Sequence, residues 1–152
     1  MGKTDKIISR RTYLESCKFF SNNQYGFRKY RSTVSAFQNI KNYIEQTSSE
    51  GNLVCIISID FKNAFNSVNW SILRRKIDLP LSSYLKDVLL DFLNNRLIKN
   101  GDTKLQYNMG VPQRSCLGPL LWNIFINDLL KIEFDGGAIV QAFADDVGVV
   151  KG

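Results

Sequence analysis

The sequence predicts an α+β fold, and three observations carry that prediction. Helical and strand-like periodicities are mixed along the chain without strict βαβ alternation. Residues 53–61 (LVCIISIDF) form a nearly continuous apolar run rich in β-branched side chains. AIVQAFA (138–144) and VGVV (147–150) read as two strands joined at Asp145-Asp146.

Element by element, residues 6–20 read as a helix with a basic face, ended by the turn residues of SNNQYG (21–26). Ser32 and Thr33 are N-cap candidates for a second helix. Its apolar positions Val34, Phe37, Ile40 and Ile44 fall at helical spacing. TSSEGN (47–52) is expected to be a loop. The run at 53–61 suits a strand covered on both faces rather than an edge strand. Residues 62–78 predict a short helix or two, and 81–95 a longer amphipathic one. A hairpin is expected around Gly101-Asp102, then a helix from Leu117 to Ile132, and last the 138–150 hairpin with Asp145-Asp146 as its turn.

Composition narrows the chemistry. The chain has 152 residues, 44% hydrophobic and 22% charged, about one domain's worth. A net charge of +6 is compatible with a polyanionic partner without requiring one. There is no histidine, which excludes Ser-His-Asp and Cys-His nucleophile systems, His-ligated zinc and an imidazole base. Three scattered cysteines (Cys17, Cys55, Cys116) form neither a metal knuckle nor a disulfide framework, as suits a reducing compartment. Apolar stretches fall well short of the roughly 18–20 residues that span a bilayer, so the expectation is an intracellular domain without a membrane partner.

Asp60 closes the most apolar strand of the chain, where burying an unpaired charge is costly. It is open to two readings: a strand-end residue that reaches solvent or caps the next helix, or a ligand. Asp145-Asp146 is equally open, as turn chemistry or as paired carboxylates that want a cation. If the strands are neighbours, three carboxylates meet at one sheet end. All-oxygen ligation of that kind favours Mg²⁺ or Mn²⁺ over zinc, and two such ions about 3.5–4 Å apart form the clamp used in phosphoryl and nucleotidyl transfer. Gly2-Lys3-Thr4 lacks the strand and earlier glycine of a P-loop. Arg28-Lys29-Tyr30-Arg31 and Arg74-Arg75-Lys76 fit solvated surfaces, or surfaces that track a nucleic-acid strand.

Four collinear blocks give these residues a common context. NQYGFRKYRSTVSAF (23–37), SIDFKNAFNSVNW (58–70), GVPQRSCLGPLLWNIFINDL (110–129) and AFADDVGVV (142–150) together resemble the reverse transcriptase domain of non-LTR (LINE-type, jockey-like) retrotransposons. The likeness to group II intron reverse transcriptases is more distant. The resemblance implies an RNA-directed DNA polymerase that acts on an RNA template, a DNA primer and deoxynucleoside triphosphates. The implied fold is a right-hand polymerase palm (about 51–69 and 114–152) with part of the fingers (about 1–50 and 70–113) and no thumb. A fragment of that kind is expected to polymerise little by itself. A catalytically silent nucleic-acid-binding relic of the same fold is the alternative, and an unrelated metal-dependent phosphohydrolase a further one.

Residue by residue, the resemblance implies that Asp60, Asp145 and Asp146 hold two Mg²⁺ ions, with Mn²⁺ able to substitute and the carbonyl of Phe61 adding a ligand. Asp146 is expected to support rather than bridge. Phe65 matches the aromatic steric gate that rejects a 2′-hydroxyl. Gln113 matches a residue lining the nucleotide pocket, with Arg114 beside it. Arg28 and Arg31 match a fingers segment that holds template or nucleotide. The sequence departs from the family pattern at three of these places. Arg114 stands where Pro-Gln-Gly-Ser has glycine, Tyr30 where Gly-Phe-Arg-x-Gly-x-Ser has its second glycine, and Asn66 where aspartate is frequent. Glycine is favoured where backbone approaches a ligand or takes positive φ, so the first two replacements are expected to carry a cost.

Overall fold

A computed structural model describes residues 3–77, 81–94, 96–111 and 115–152. The chain folds as two interleaved compact units, Met1–Phe20 with Asn63–Phe125, and Ser21–Lys62 with Ile126–Gly152.

The first unit is largely helical. It contains α1 (Lys3–Ser16), a 3₁₀ turn at Ala64–Asn66, α3 (Trp70–Lys76), α4 (Ser83–Phe92) and the hairpin β2 (Arg96–Asn100)–β3 (Thr103–Tyr107). The Asn69 side chain starts α3 by accepting from the backbone N–H groups of Ser71 and Ile72. In α4, Leu85 and Leu89, with Leu93 just beyond it, recur every fourth residue. All three are fully buried, which is what fixes the face this helix turns inward. The hairpin closes over Gly101-Asp102 as expected, with Asn100 opposite Thr103 and Gly101 at φ +60°. Helix α1 starts before residue 6 and ends at Ser16 rather than at Phe20. Near its end the Thr12 and Ser16 hydroxyls bond back to the Ile8 and Thr12 carbonyls.

The second unit carries α2 (Thr33–Ser49) and a three-stranded antiparallel sheet in the order β1 (Cys55–Asp60)–β5 (Asp146–Lys151)–β4 (Ile139–Phe143). The predicted cap of α2 is present. The Ser32 hydroxyl accepts from the Ser35 N–H while the Ser35 hydroxyl accepts from the Ser32 N–H, a reciprocal capping box. The expected loop at 47–52 begins late, because Thr47–Ser49 stay helical and the chain turns only at Gly51, φ +82°. The expected apolar stripe of α2 is not its buried face. Val34 and Phe37 are 74% and 68% exposed, while Ala36 and Thr47 are buried. The helix meets β4 through polar groups instead: Gln141 donates to the Ala36 carbonyl (2.8 Å) and accepts from the Asn39 amide (2.7 Å).

Strand β1 also departs from expectation. It is the edge of its sheet and all six residues are exposed, Ile56 and Ile57 at 54% each. A continuous apolar run reports that both faces are suited to burial, and three strands of this chain do not supply that cover. The helix expected at 117–132 divides. Helix α5 (Gly118–Ile126) stops, and a separate 3₁₀ turn covers Leu129–Lys131. Between them Asn127 turns its side-chain oxygen to the Ser21 N–H (2.7 Å), a use that competes with helix continuation. No helix among the described residues is long and apolar enough to cross a membrane.

Candidate active site

The two strands that carry the acidic residues are neighbours. Antiparallel pairing runs from Cys55↔Lys151 to Asp60↔Asp146, so Asp60 and Asp146 are directly opposite at one end of the sheet. Side chains of a directly opposed pair project to the same face, with Cβ atoms about 4.5–5.5 Å apart. The same strand end closes the β4–β5 hairpin, where Phe143 pairs with Asp146. The loop is therefore Ala144-Asp145 and not Asp145-Asp146: one residue of register moves Asp146 out of the turn and into the ladder. Ala144 takes φ +59°, and Asp145 is not among the residues with positive φ, a sign pattern that matches a type II′ hairpin.

Asp60 and Asp146 are exposed and Asp145 is half-buried. Two like charges face each other across the ladder, with a third next along the chain. Their donors are all oxygen, the kind that hard divalent ions prefer. Among the described residues, however, no group of three or more acidic, cysteine or histidine side chains is gathered closely enough to hold an ion. Phe61 follows Asp60 directly and is half-buried.

The two arginines expected to hold template or nucleotide are engaged in building their own loop. Arg28 Nη1 donates to the Ser21 carbonyl (2.5 Å). Arg31 Nη1 donates to the Asn22 carbonyl (2.9 Å), and its guanidinium lies over the Tyr25 ring, 4.7 Å from the centroid. Tyr30 takes φ +63°, so the residue standing in the glycine position does adopt a conformation that favours glycine. The basic triplet on α3 is partly structural too. Arg74 bonds to the Leu93 carbonyl and the Asn94 amide oxygen, and Lys76 Nζ to the Phe125 carbonyl (2.6 Å). All three residues occupy the last turn, where cations offset the helix dipole.

Phe65 belongs to the first unit. Its ring packs on Trp122 with centroids 5.3 Å apart, and its carbonyl accepts from the Val111 N–H (2.7 Å). Gly110 secures the same segment, donating to the Val68 carbonyl while its own carbonyl takes the Trp70 indole N–H (2.6 Å). Gln113 and Arg114 lie outside the described residues.

Sequence reasoning passed over Gln24. It is 1% exposed, bridges to Ala142 in parallel sense and contacts the hairpin that carries Asp145 and Asp146. The available signal was a long polar side chain one residue from an aromatic and two from a glycine, inside a block already singled out.

The sequence and the fold both have known relatives. The description "Reverse transcriptase (RNA-dependent DNA polymerase)" matches residues 3–151. The "Retrovirus-related Pol polyprotein from type-1 retrotransposable element R1" of Bradysia coprophila is 29% identical over 133 residues, 85% of this chain and 13% of that protein. The "Group II intron-encoded protein LtrA" of Lactococcus lactis subsp. cremoris is 29% identical over 143 residues, 87% of this chain and 23% of that protein. This chain thus spans a small part of the curated relatives it matches. Among solved structures, apo telomerase from Candida tropicalis, truncated from its C-terminal domain, superposes with a TM-score of 0.65 at 15% identity. That match covers 98% of this chain and 33% of the other. The resemblance read from the four blocks is borne out, and the chain belongs to the reverse transcriptase (RNA-dependent DNA polymerase) family.

Proposed function

We propose that this chain carries the nucleotidyl-transfer centre of a retrotransposon reverse transcriptase, with the β1–β5–β4 sheet as its palm floor. The observation that supports this most is the pairing of Asp60 with Asp146, with Asp145 in the adjoining turn. Asp60, Asp145 and Asp146 would hold divalent ions of the Mg²⁺ or Mn²⁺ type, joined by the Phe61 carbonyl. Such ions would activate the primer 3′-hydroxyl and neutralise the triphosphate. The chain's own task is positioning. The antiparallel ladder sets the separation of Asp60 and Asp146 before any ligand arrives, and such preorganisation is where most of the catalytic benefit lies. In this reading Phe65, held by Trp122 and Val111, keeps the sugar-selecting role that the resemblance implies, and Gln113 and Arg114 keep the nucleotide-binding roles that it implies. Arg28 and Arg31 shape the loop behind the template, and the +6 charge favours an RNA template and DNA primer.

The silent nucleic-acid-binding relic is the second reading. The absence, among the described residues, of a ready-made three-carboxylate cluster favours it. Mn²⁺ titration followed by electron paramagnetic resonance separates the two. The polymerase reading expects saturable Mn²⁺ uptake that Asp60→Asn abolishes. Uptake indifferent to Asp60, or none, would leave the relic standing.

A further inference from the structure

We propose that the Asn23–Gly26 segment, through Gln24 and Gly26, is the positioning device that sets the Ala144-Asp145 turn, and with it the placement of Asp145 and Asp146 against Asp60. The proposal rests on the reading of these aspartates as an ion site. Four observations carry it.

First, the segment is laid along the free edge of β4 as an extra short strand. The Tyr25 N–H donates to the Ala142 carbonyl and the Ala142 N–H to the Asn23 carbonyl, both at 2.8 Å. Second, the buried Gln24 amide works in both directions: its Oε1 accepts from the Gly26 N–H (2.8 Å) and its Nε2 points to the Ala144 carbonyl (3.5 Å). A carboxylate lacks the donor and an aliphatic side chain lacks both groups, so the amide has a specific task. Third, a Cβ at Gly26 would overlap the backbone N and Cα of Ala144, so the two backbones touch where only glycine fits. Fourth, Ala144 holds φ +59°, a left-handed conformation that persists in a residue with a side chain only where its surroundings over-determine it. Gln24 and Gly26 are those surroundings. They would act on the ions through the turn, without touching them.

The test uses the full chain and two variants. Gly26→Ala introduces the overlap; Gln24→Leu keeps comparable bulk and removes only the two polar contacts. Partners that orient ligands from behind commonly alter metal affinity by about 10–100-fold when removed. Mn²⁺ affinity is therefore expected to fall about tenfold or more in each variant, with far-UV circular dichroism and amide exchange of α2 unchanged. Amides of Asp145–Val147 should exchange faster, while those of Val149–Lys151 should not. A role confined to stability would leave the Mn²⁺ affinity of folded molecules where it was, and that result overturns the proposal. If Gly26→Ala does not fold, Gln24→Leu decides alone. If the wild-type chain shows no Asp60-dependent Mn²⁺ uptake, the ion-site reading fails, whereas the amide exchange still decides whether this segment sets the turn.

Discussion

Asp60→Asn should make the sheet more stable without metal and less stable with it, and the reversal can be worked out from the register. Asp60 and Asp146 are opposed and both exposed, so their charges interact across roughly 5 Å through water. Coulomb's law gives about 0.8 kcal/mol of repulsion at that separation. Screening trims this to about 0.7 kcal/mol at 10 mM salt and about 0.2 at 1 M. Removing one charge should therefore slow amide exchange through β1 and β5 about threefold at low salt, and hardly at all at high salt. With Mn²⁺ at ten times its dissociation constant, the wild-type chain gains about 1.4 kcal/mol that the variant lacks, and the order inverts. Exchange measured by mass spectrometry or NMR is the right assay, because Trp70 and Trp122, the two tryptophans, both sit in the other unit. Faster exchange in Asp60→Asn at low salt without metal would refute the reasoning, as would a gain that salt does not erase.

Tyr30→Gly should stabilise the 21–31 loop by about 0.5 kcal/mol. It releases a left-handed residue worth about 1–2 kcal/mol, less the added freedom of the unfolded chain. The ring is 90% exposed, so little packing is lost, and slower proteolysis within the loop is the readout. Leu89→Ala, on the fully buried face of α4, should cost the first unit about 2–5 kcal/mol in urea unfolding followed by tryptophan fluorescence. The Glu15 carboxyl lies below its ordinary value of 4.5, chiefly because the Ser82 backbone N–H donates to it (2.9 Å). A folded-state value that is depressed stabilises above the unfolded value, and that support is lost as pH falls through the folded one. Glu15→Gln should therefore remove the part of the acid-side stability loss that lies below about pH 4.5, read from urea midpoints across pH.

What could be read from the sequence was local chemistry. Ser32 announced the start of α2 because a cap is decided within four residues, and Gly101-Asp102 announced a hairpin for the same reason. The acidic residues became candidates through the four collinear blocks, since each alone reads equally as strand-end or turn chemistry. Their arrangement was not legible. Whether β1 adjoins β5 depends on a pairing between segments 86 positions apart (Asp60 to Asp146), and spacing carries no information on that. The hairpin turn was misplaced by one residue because Asp-Asp is better turn chemistry than Ala-Asp. Contact with Gly26 and Gln24 outweighs that preference and holds an alanine at positive φ. Strand β1 read as interior because composition reports suitability for burial, not the number of layers that a chain provides.

The interleaving of the two units bears on biosynthesis. At ribosomal speeds of about 5–20 residues per second, the 86 positions between Asp60 and Asp146 take on the order of 4–17 s to translate. Throughout that interval the isoleucine-rich β1 has been made but its partner has not, so a sticky, hydrogen-bond-hungry ribbon waits unpaired. Nascent chains of this design would be a natural client for holding chaperones, and slowing translation between codons 61 and 145 should increase their loss to aggregates.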